Sequence, residues 1–185
     1  MSSYPVFRKA RPDDLDAIAC IYDRAHDAEE AGLTTTGWVR GIYPVREVAV
    51  AALERDDMYV AELMDPDDPC GHPLIVASGV INRIQVNVYL DCDWEYKAPD
   101  EKVLVLHTLV VDPDARGRGI GPAFVRFYEK LAAKQGCEVL RIDTNARNKM
   151  ARKMYAKLGY VETDIVPTVF NGIRNVDLVL MEKKI

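Results

Sequence analysis

The segment from Arg116 to Gly121, Arg-Gly-Arg-Gly-Ile-Gly, places three glycines at alternate positions with two arginines among them. Without Cβ atoms in the way, successive backbone N–H groups can turn toward one point, and Arg116 and Arg118 add positive charge there. That combination suits an anion, a pyrophosphate above all, when a helix N-terminus follows. A plain glycine turn between a strand and a helix would show the same Gly-x-Gly. Two other phosphate motifs do not fit. A Walker loop closes on Gly-Lys-Ser/Thr, whereas Gly121 is followed by Pro122. A dinucleotide fingerprint needs a βαβ unit near the start of a domain and a further pair of residues before its last glycine. The distinguishing feature is Arg-x-x-Gly-x-Gly in mid-chain, after a long apolar run.

That run, Val103 to Val111, carries His107 and Thr108 amid Val and Leu. Histidine titrates in the range a general base needs, although one that only satisfies core hydrogen bonds would sit there equally well. Further on, Asn148 and Tyr155 are seven positions apart, two helical turns, so both face one side of a helix. A buried tyrosine on an apolar helix face is the plainer alternative for Tyr155.

The elements that position these residues follow from periodicity. Val103–Val111 is β-branched and apolar almost throughout, as in a strand buried on both faces. Ile120, Phe124, Phe127, Tyr128 and Leu131 recur at helical spacing, with Pro122 expected at the first helical position and the end near Gln135-Gly136. Val139–Thr144 reads as a strand, Asn145 as a helix cap, and Met150, Ala151, Met154, Tyr155 and Leu158 as the apolar side of a helix that Gly159 ends. Before this unit come a strand at Val6–Ala10, a helix from Leu15 to between His26 and Glu30, and an irregular stretch from Gly32 to Pro44. A second helix, Val45–Arg55, follows. Trp38 in the irregular stretch could plug the two helices or wall a substrate site. Asp57–Glu62 and Leu74–Gln85 read as antiparallel strands joined by a hairpin loop over 65–73, and Val86–Asp100 as an acidic, aromatic loop suited to an amine. Tyr160–Phe170 and Val176–Glu182 close the chain as strands joined by the Asn171-Gly172 turn.

With 185 residues, 49% of them hydrophobic, the chain can fill one substantial core, and a single domain over 1–185 is expected. A net charge of −5 without a Lys/Arg block disfavours nucleic acid as a partner and tolerates a cationic substrate. Cys20, Cys70, Cys92 and Cys137 are scattered, and nothing like a signal peptide precedes Tyr4, so a cytoplasmic protein with reduced thiols is expected. No apolar run approaches the roughly 20 residues of a membrane helix.

The order strand, two helices, three strands, glycine turn, helix, strand, helix, two strands resembles the GNAT superfamily of acyl-CoA-dependent N-acetyltransferases. Two motifs carry the likeness. Arg116-x-x-Gly119-x-Gly121 matches the family's pyrophosphate loop, and Asn148-x-x-Ala151-x-x-x-Tyr155-x-x-x-Gly159-Tyr160 matches its Asn…Ala…Tyr…Gly-Phe/Tyr helix, at the expected interval. The resemblance is sharpest over Val103–Tyr160. It implies an α+β fold, a mixed, mostly antiparallel central sheet of about seven strands flanked by about four helices. It implies acetyl-CoA as cosubstrate, no metal, and transfer of the acetyl group to a primary amine by direct attack. A non-catalytic acetyl-CoA-binding regulatory domain would carry the same motifs. Carried over by residue, Leu109, Val110 and Val111 would meet the acetyl-pantetheine arm, with a Leu109 or Val110 N–H holding the oxyanion. Arg116, Gly117, Arg118, Gly119, Ile120 and Gly121 would hold the pyrophosphate. Asn148 would bond the arm, and Tyr155 would protonate the departing thiolate. Many relatives have a glutamate base on the central strand, where this chain offers His107 and Thr108 instead, with His107 the candidate base, an arrangement similar to that of the arylalkylamine N-acetyltransferases. Pro122, which has no N–H, removes one phosphate contact that many relatives have. The acceptor amine is not specified by these motifs, and a homodimer through the closing strands is compatible with them.

Overall fold

A computed structural model describes residues 4–64 and 73–185. Its elements are β1 (Val6–Lys9), α1 (Leu15–Glu30), α2 (Arg46–Glu54), β2 (Met58–Met64), β3 (Pro73–Asn82), β4 (Val103–Val111), α3 (Ile120–Lys134), β5 (Val139–Asn145), α4 (Lys149–Lys157), β6 (Val161–Phe170) and β7 (Ile173–Lys184). The expected hairpin loop lies, apart from Pro73, outside the described residues. The strands form one seven-stranded sheet in the order β1-β2-β3-β4-β5-β7-β6. Every neighbouring pair is antiparallel except β4 and β5, which α3 connects as parallel strands require. The expected α+β architecture of about seven strands and four helices therefore stands.

Three elements differ from expectation for local reasons. Strand β3 stops at Asn82 and not Gln85, because the Asn82 side chain accepts the Ile84 N–H at 2.9 Å and turns the chain. Helix α3 begins at Ile120 behind a left-handed Gly119, so Pro122 occupies the third helical position and not the first. Asn145 ends β5 and does not cap α4. Its carboxamide accepts the Arg147 N–H at 3.0 Å, and Asn148 is the cap, accepting from Ala151 N at 3.1 Å.

The two faces of the sheet bury different helices. On one face Phe124, Val125 and Tyr128 of α3 and Tyr155 of α4 pack with Leu104, Leu106, Leu140 and Ile142. Contact there is close enough that a Cβ on Gly79 would meet Phe124 at 2.9 Å. On the other face Ile18, Ile21 and Tyr22 of α1 and Ala49 and Ala52 of α2 pack with Val60, Val80 and Val110. Beside them Tyr89 and Trp94 of the 86–100 segment cover Val103, Val105 and Val139.

Strands β4 and β5 pair only from Val103↔Val139 to Leu106↔Ile142 and then part. Beyond the parting, β4 carries an extra residue against β3: Val80 sits opposite His107 and Ser78 opposite Val110. The bulge holds Thr108 at φ 50. A β-branched residue in the left-handed region costs about 1–3 kcal/mol. The Tyr43 hydroxyl, from the α1–α2 connection, bonds the Thr108 hydroxyl and helps fix it. Among the described residues no helix is long and apolar enough to cross a membrane.

Candidate active site

A cleft of about 1030 Å³ opens where β4 and β5 separate. Its walls come from β4, the glycine turn, the start of α4, the end of β5 and the α1–α2 connection. Leu109, Val110 and Val111 line it, as do Arg116, Gly117, Gly119, Ile120, Gly121, Asn148, Tyr155 and His107. Of the residues expected at the site, Arg118 alone is not among those lining it.

One half of the cleft is lined by the glycine turn and the start of α3. Gly117 and Gly119 adopt φ 75 and 74, and a Cβ on either would meet open space, so their glycine character serves conformation and not packing. Gly121 differs: a Cβ there would lie 3.1 Å from the Met154 sulfur, so its role is to let α4 approach the start of α3. The N–H groups of Ile120 and Gly121 open the helix, Pro122 supplies none, and Ala123 N already bonds Gly119 O at 3.1 Å. Arg116 is exposed and among the described residues has no carboxylate partner. On β4, residues 107–111 have lost β5 as a neighbour, leaving that edge of the strand open to an extended chain. Asn148 spends its Oδ1 on capping α4 and keeps its amide hydrogens. Tyr155 is 5% exposed, its ring edge-on to Tyr160 at 5.9 Å, and among the described residues its hydroxyl has no hydrogen-bond partner. Burial, reinforced by the nearby Asp143 carboxylate, holds its pKa above the ordinary phenol value, so it is protonated at neutral pH.

The opposite half lies on the α1/α2 face. His107 Nε2 is 3.0 Å from the Ile84 carbonyl, so that nitrogen carries the proton and donates it, leaving Nδ1 unprotonated. Burial pushes its pKa down to about 4, and His107 is neutral at pH 7. Trp38 combines the two roles considered for it, packing against the α1/α2 core and lining the cleft. The connection bearing it is pinned by the Glu29 carboxylate, which accepts from Thr34 Oγ1 (2.8 Å), Thr36 N (2.8 Å) and Gly37 N (3.0 Å). The 86–100 segment contributes Val86 to the cleft, but Asp91, Asp93 and Glu95 do not line it, and Trp94 is tucked beneath. The carboxylate in the cleft is Asp143 of β5, which the motifs do not single out. Its parity in the strand was the available signal: it falls two residues after Arg141, on the same face as His107. Tyr89 donates its hydroxyl proton to Asp143 Oδ2 at 2.7 Å.

A glycine cradle at a helix start, an open strand edge and a polar pair on the next helix, all on one cleft, can be set against known proteins. The sequence profile of the Acetyltransferase (GNAT) family matches residues 43–160. The chain belongs to the GNAT acetyltransferase family. An uncharacterised N-acetyltransferase of Methanocaldococcus jannaschii is 35% identical to this GNAT chain over 79 residues, which are 43% of this chain and 35% of the relative. The match thus spans about a third of that relative's length. Among solved structures, a GNAT-family acetyltransferase of Listeria monocytogenes superposes with a TM-score of 0.69 at 19% identity, covering 98% of this chain and 95% of the other. The Salmonella typhimurium protein yncA, solved with its cofactor acetyl-CoA, gives 0.66 at 19% identity, covering 98% and 94%. At these identities the structural likeness speaks for the GNAT fold alone.

Proposed function

We propose that this GNAT chain transfers the acetyl group of acetyl-CoA to a primary amine by direct attack of the amine nitrogen on the thioester carbonyl. The observation that carries this reading is the convergence of the glycine cradle, the unpaired edge of β4, Asn148 and Tyr155 on one cleft at the β4/β5 parting. The residues fit the group: the backbone N–H groups of a glycine turn at a helix start, and an Arg116 without a carboxylate partner among the described residues, suit a pyrophosphate, and the open β4 edge suits the amide-bearing arm. When bound, acetyl-CoA supplies an activated acyl carbon.

Within the protein, Arg116, Gly117, Gly119, Ile120 and Gly121 would anchor the phosphates, with Arg118 contributing charge from outside the cleft. Leu109 and Val111 would pair with the arm. A backbone N–H of Leu109 or Val110, at the bulge and already fixed in place, would hold the negative charge that develops on the carbonyl oxygen. Asn148 would orient the arm with its amide hydrogens. Tyr155 would donate its proton to the sulfur as the C–S bond breaks. A raised phenol pKa makes that transfer uphill to a free thiolate, so it proceeds only as negative charge builds on a sulfur in the same dry surroundings.

The test is release of free thiol from acetyl-CoA across small amines, amino acids and peptides, for wild type beside Tyr155→Phe. The expected outcome is turnover with one amine class and a loss of about 10²-fold or more in kcat in the mutant, the usual worth of a placed proton donor. Full turnover in Tyr155→Phe would assign the proton to another group. Tight CoA binding with no turnover of any amine would favour a regulatory acetyl-CoA-binding domain.

A further inference from the structure

Asp143 is the one acidic side chain lining the cleft among the described residues, and it stands at the parting of the strands. Val105 pairs with Arg141, and on the same pleat the next residues along are His107 on β4 and Asp143 on β5, where the pairing has just ended. They therefore flank the gap through which one face of the sheet communicates with the other. Tyr155 and the glycine cradle belong to the α3/α4 side of the gap, and Asp143 faces the other. One oxygen of Asp143 accepts from Tyr89, which leaves the second for a ligand.

Resting on the reading of this cleft as an acetyl-transfer site, we propose that Asp143 receives the acceptor as an alkylammonium ion and takes the proton that the nitrogen must lose before it attacks. The proton moves from nitrogen to the free Asp143 oxygen. The nitrogen lone pair forms the C–N bond, and the C–S bond breaks with its electron pair going to sulfur. Sulfur takes the Tyr155 proton, the second nitrogen proton restores Tyr155 through solvent, and Asp143 releases its own proton to solvent when product leaves. No oxidant or further reactant is needed.

The surroundings suit this role. The groups around Asp143 are Tyr89 from the 86–100 segment, Tyr43 from the α1–α2 connection, Tyr155 of α4 across the gap, and His107 at the matching position on β4. Asp143 raises the pKa of all three tyrosines, and none of the four groups is cationic at neutral pH. Arg141, two residues earlier, stacks on Trp94 at 4.0 Å and bonds Gln85. Arg55, which also lines the cleft, is held by Asp57 at 2.8 Å. Burial lifts the Asp143 pKa to about 6, against the Tyr89 bond that lowers it, so at neutral pH the group is ionised yet a far better base than a surface carboxylate. His107, with its pKa near 4, is the weaker candidate for that proton. Val86, Phe170, Ile173, Val176 and Leu178 line the cleft and pack in the cluster that contains Tyr89. The acceptor is thus an amine on an apolar body, without a carboxylate beside the nitrogen.

The experiment measures binding of n-butylammonium by calorimetry, with and without CoA, to wild type and Asp143→Asn. Asparagine keeps an oxygen for Tyr89, and unchanged CoA affinity in the mutant reports an intact fold. The expected result is binding to wild type that weakens as pH falls through about 6, and binding at least about tenfold weaker in Asp143→Asn with that pH dependence gone, as loss of a charge-assisted hydrogen bond implies. Equal binding in both proteins, or no binding to wild type at any pH, would overturn the proposal. Should the variant not fold, the pH dependence in wild type decides alone. Failure to bind CoA, or absence of thiol release, counts against the acetyl-transfer reading and leaves the ammonium measurement to stand or fall by itself.

Discussion

The two ionisable residues that flank the gap are perturbed in opposite senses, with opposite effects on stability. His107 has its pKa depressed by burial, so the fold favours its neutral form. The stability this contributes is complete above the unfolded value near 6.5 and is lost as pH falls toward 4, at most about 3 kcal/mol. In urea titrations His107→Gln should therefore show a flatter pH dependence than wild type between those limits. An identical slope would mean that the imidazole is solvated. Asp143 has its pKa raised by burial, so the fold favours its neutral form as well, and ionisation costs stability as pH rises from about 4 through about 6. At pH 8 Asp143→Asn should be more stable than wild type by about 1–3 kcal/mol, the sign expected where a site gives up stability for chemistry. A destabilised mutant would make Asp143 a structural residue. Asp143 was hard to find from sequence because one carboxylate in an apolar strand carries no spacing signature. Tyr155, Asn148 and the glycines did, because a turn and a helix impose fixed intervals on whatever must converge.

At the scale of elements, α4 shows how one residue can serve both fold and site. Asn148 caps the helix with its oxygen, and its amide hydrogens remain for a ligand. Asn148→Ala should cost about 1 kcal/mol in stability, and Asn148→Ser, which can still cap, only a few tenths. Both should weaken CoA binding by a similar factor, and an Asn148→Ser protein that binds CoA as wild type does would remove the amide from the site. The cap illustrates the limit of sequence reading, since Asn145 and Asn148 are both plausible caps and only the length of β5 decides between them. Strand and helix order was legible from periodicity because each element buries one face. The bulge at Thr108 was not, because it depends on the register of β4 against β3, set by residues some thirty positions away. The start of α3 moved for a similar reason: the left-handed Gly119 lets the helix begin two residues before Pro122.

At the scale of the molecule, the sheet is divided by a gap that opens where the pairing of β4 with β5 ends. Among the described residues β4 and β5 are the sole parallel pair, joined through α3, and once their pairing stops the α1–α2 connection reaches both sides, Tyr43 bonding Thr108 of β4 and Thr35 Oγ1 donating to the Arg147 carbonyl just past β5 at 2.8 Å. Tyr128 of α3 places its hydroxyl 2.6 Å from Leu104 O and 3.2 Å from Arg141 O, bracing both strands just short of the parting. The consequence is a cleft with a glycine turn at a helix start on one face and a carboxylate among tyrosines on the other, the geometry on which the proposed transfer from an acyl carrier to an amine rests. The most direct measurement is a crystal structure of the protein with CoA. The expected result is the pyrophosphate on the Arg116–Gly121 turn, the arm alongside Leu109–Val111, and the sulfur in the gap within hydrogen-bond reach of Tyr155. A sulfur directed away from the gap, or phosphates bound elsewhere on the surface, would contradict it.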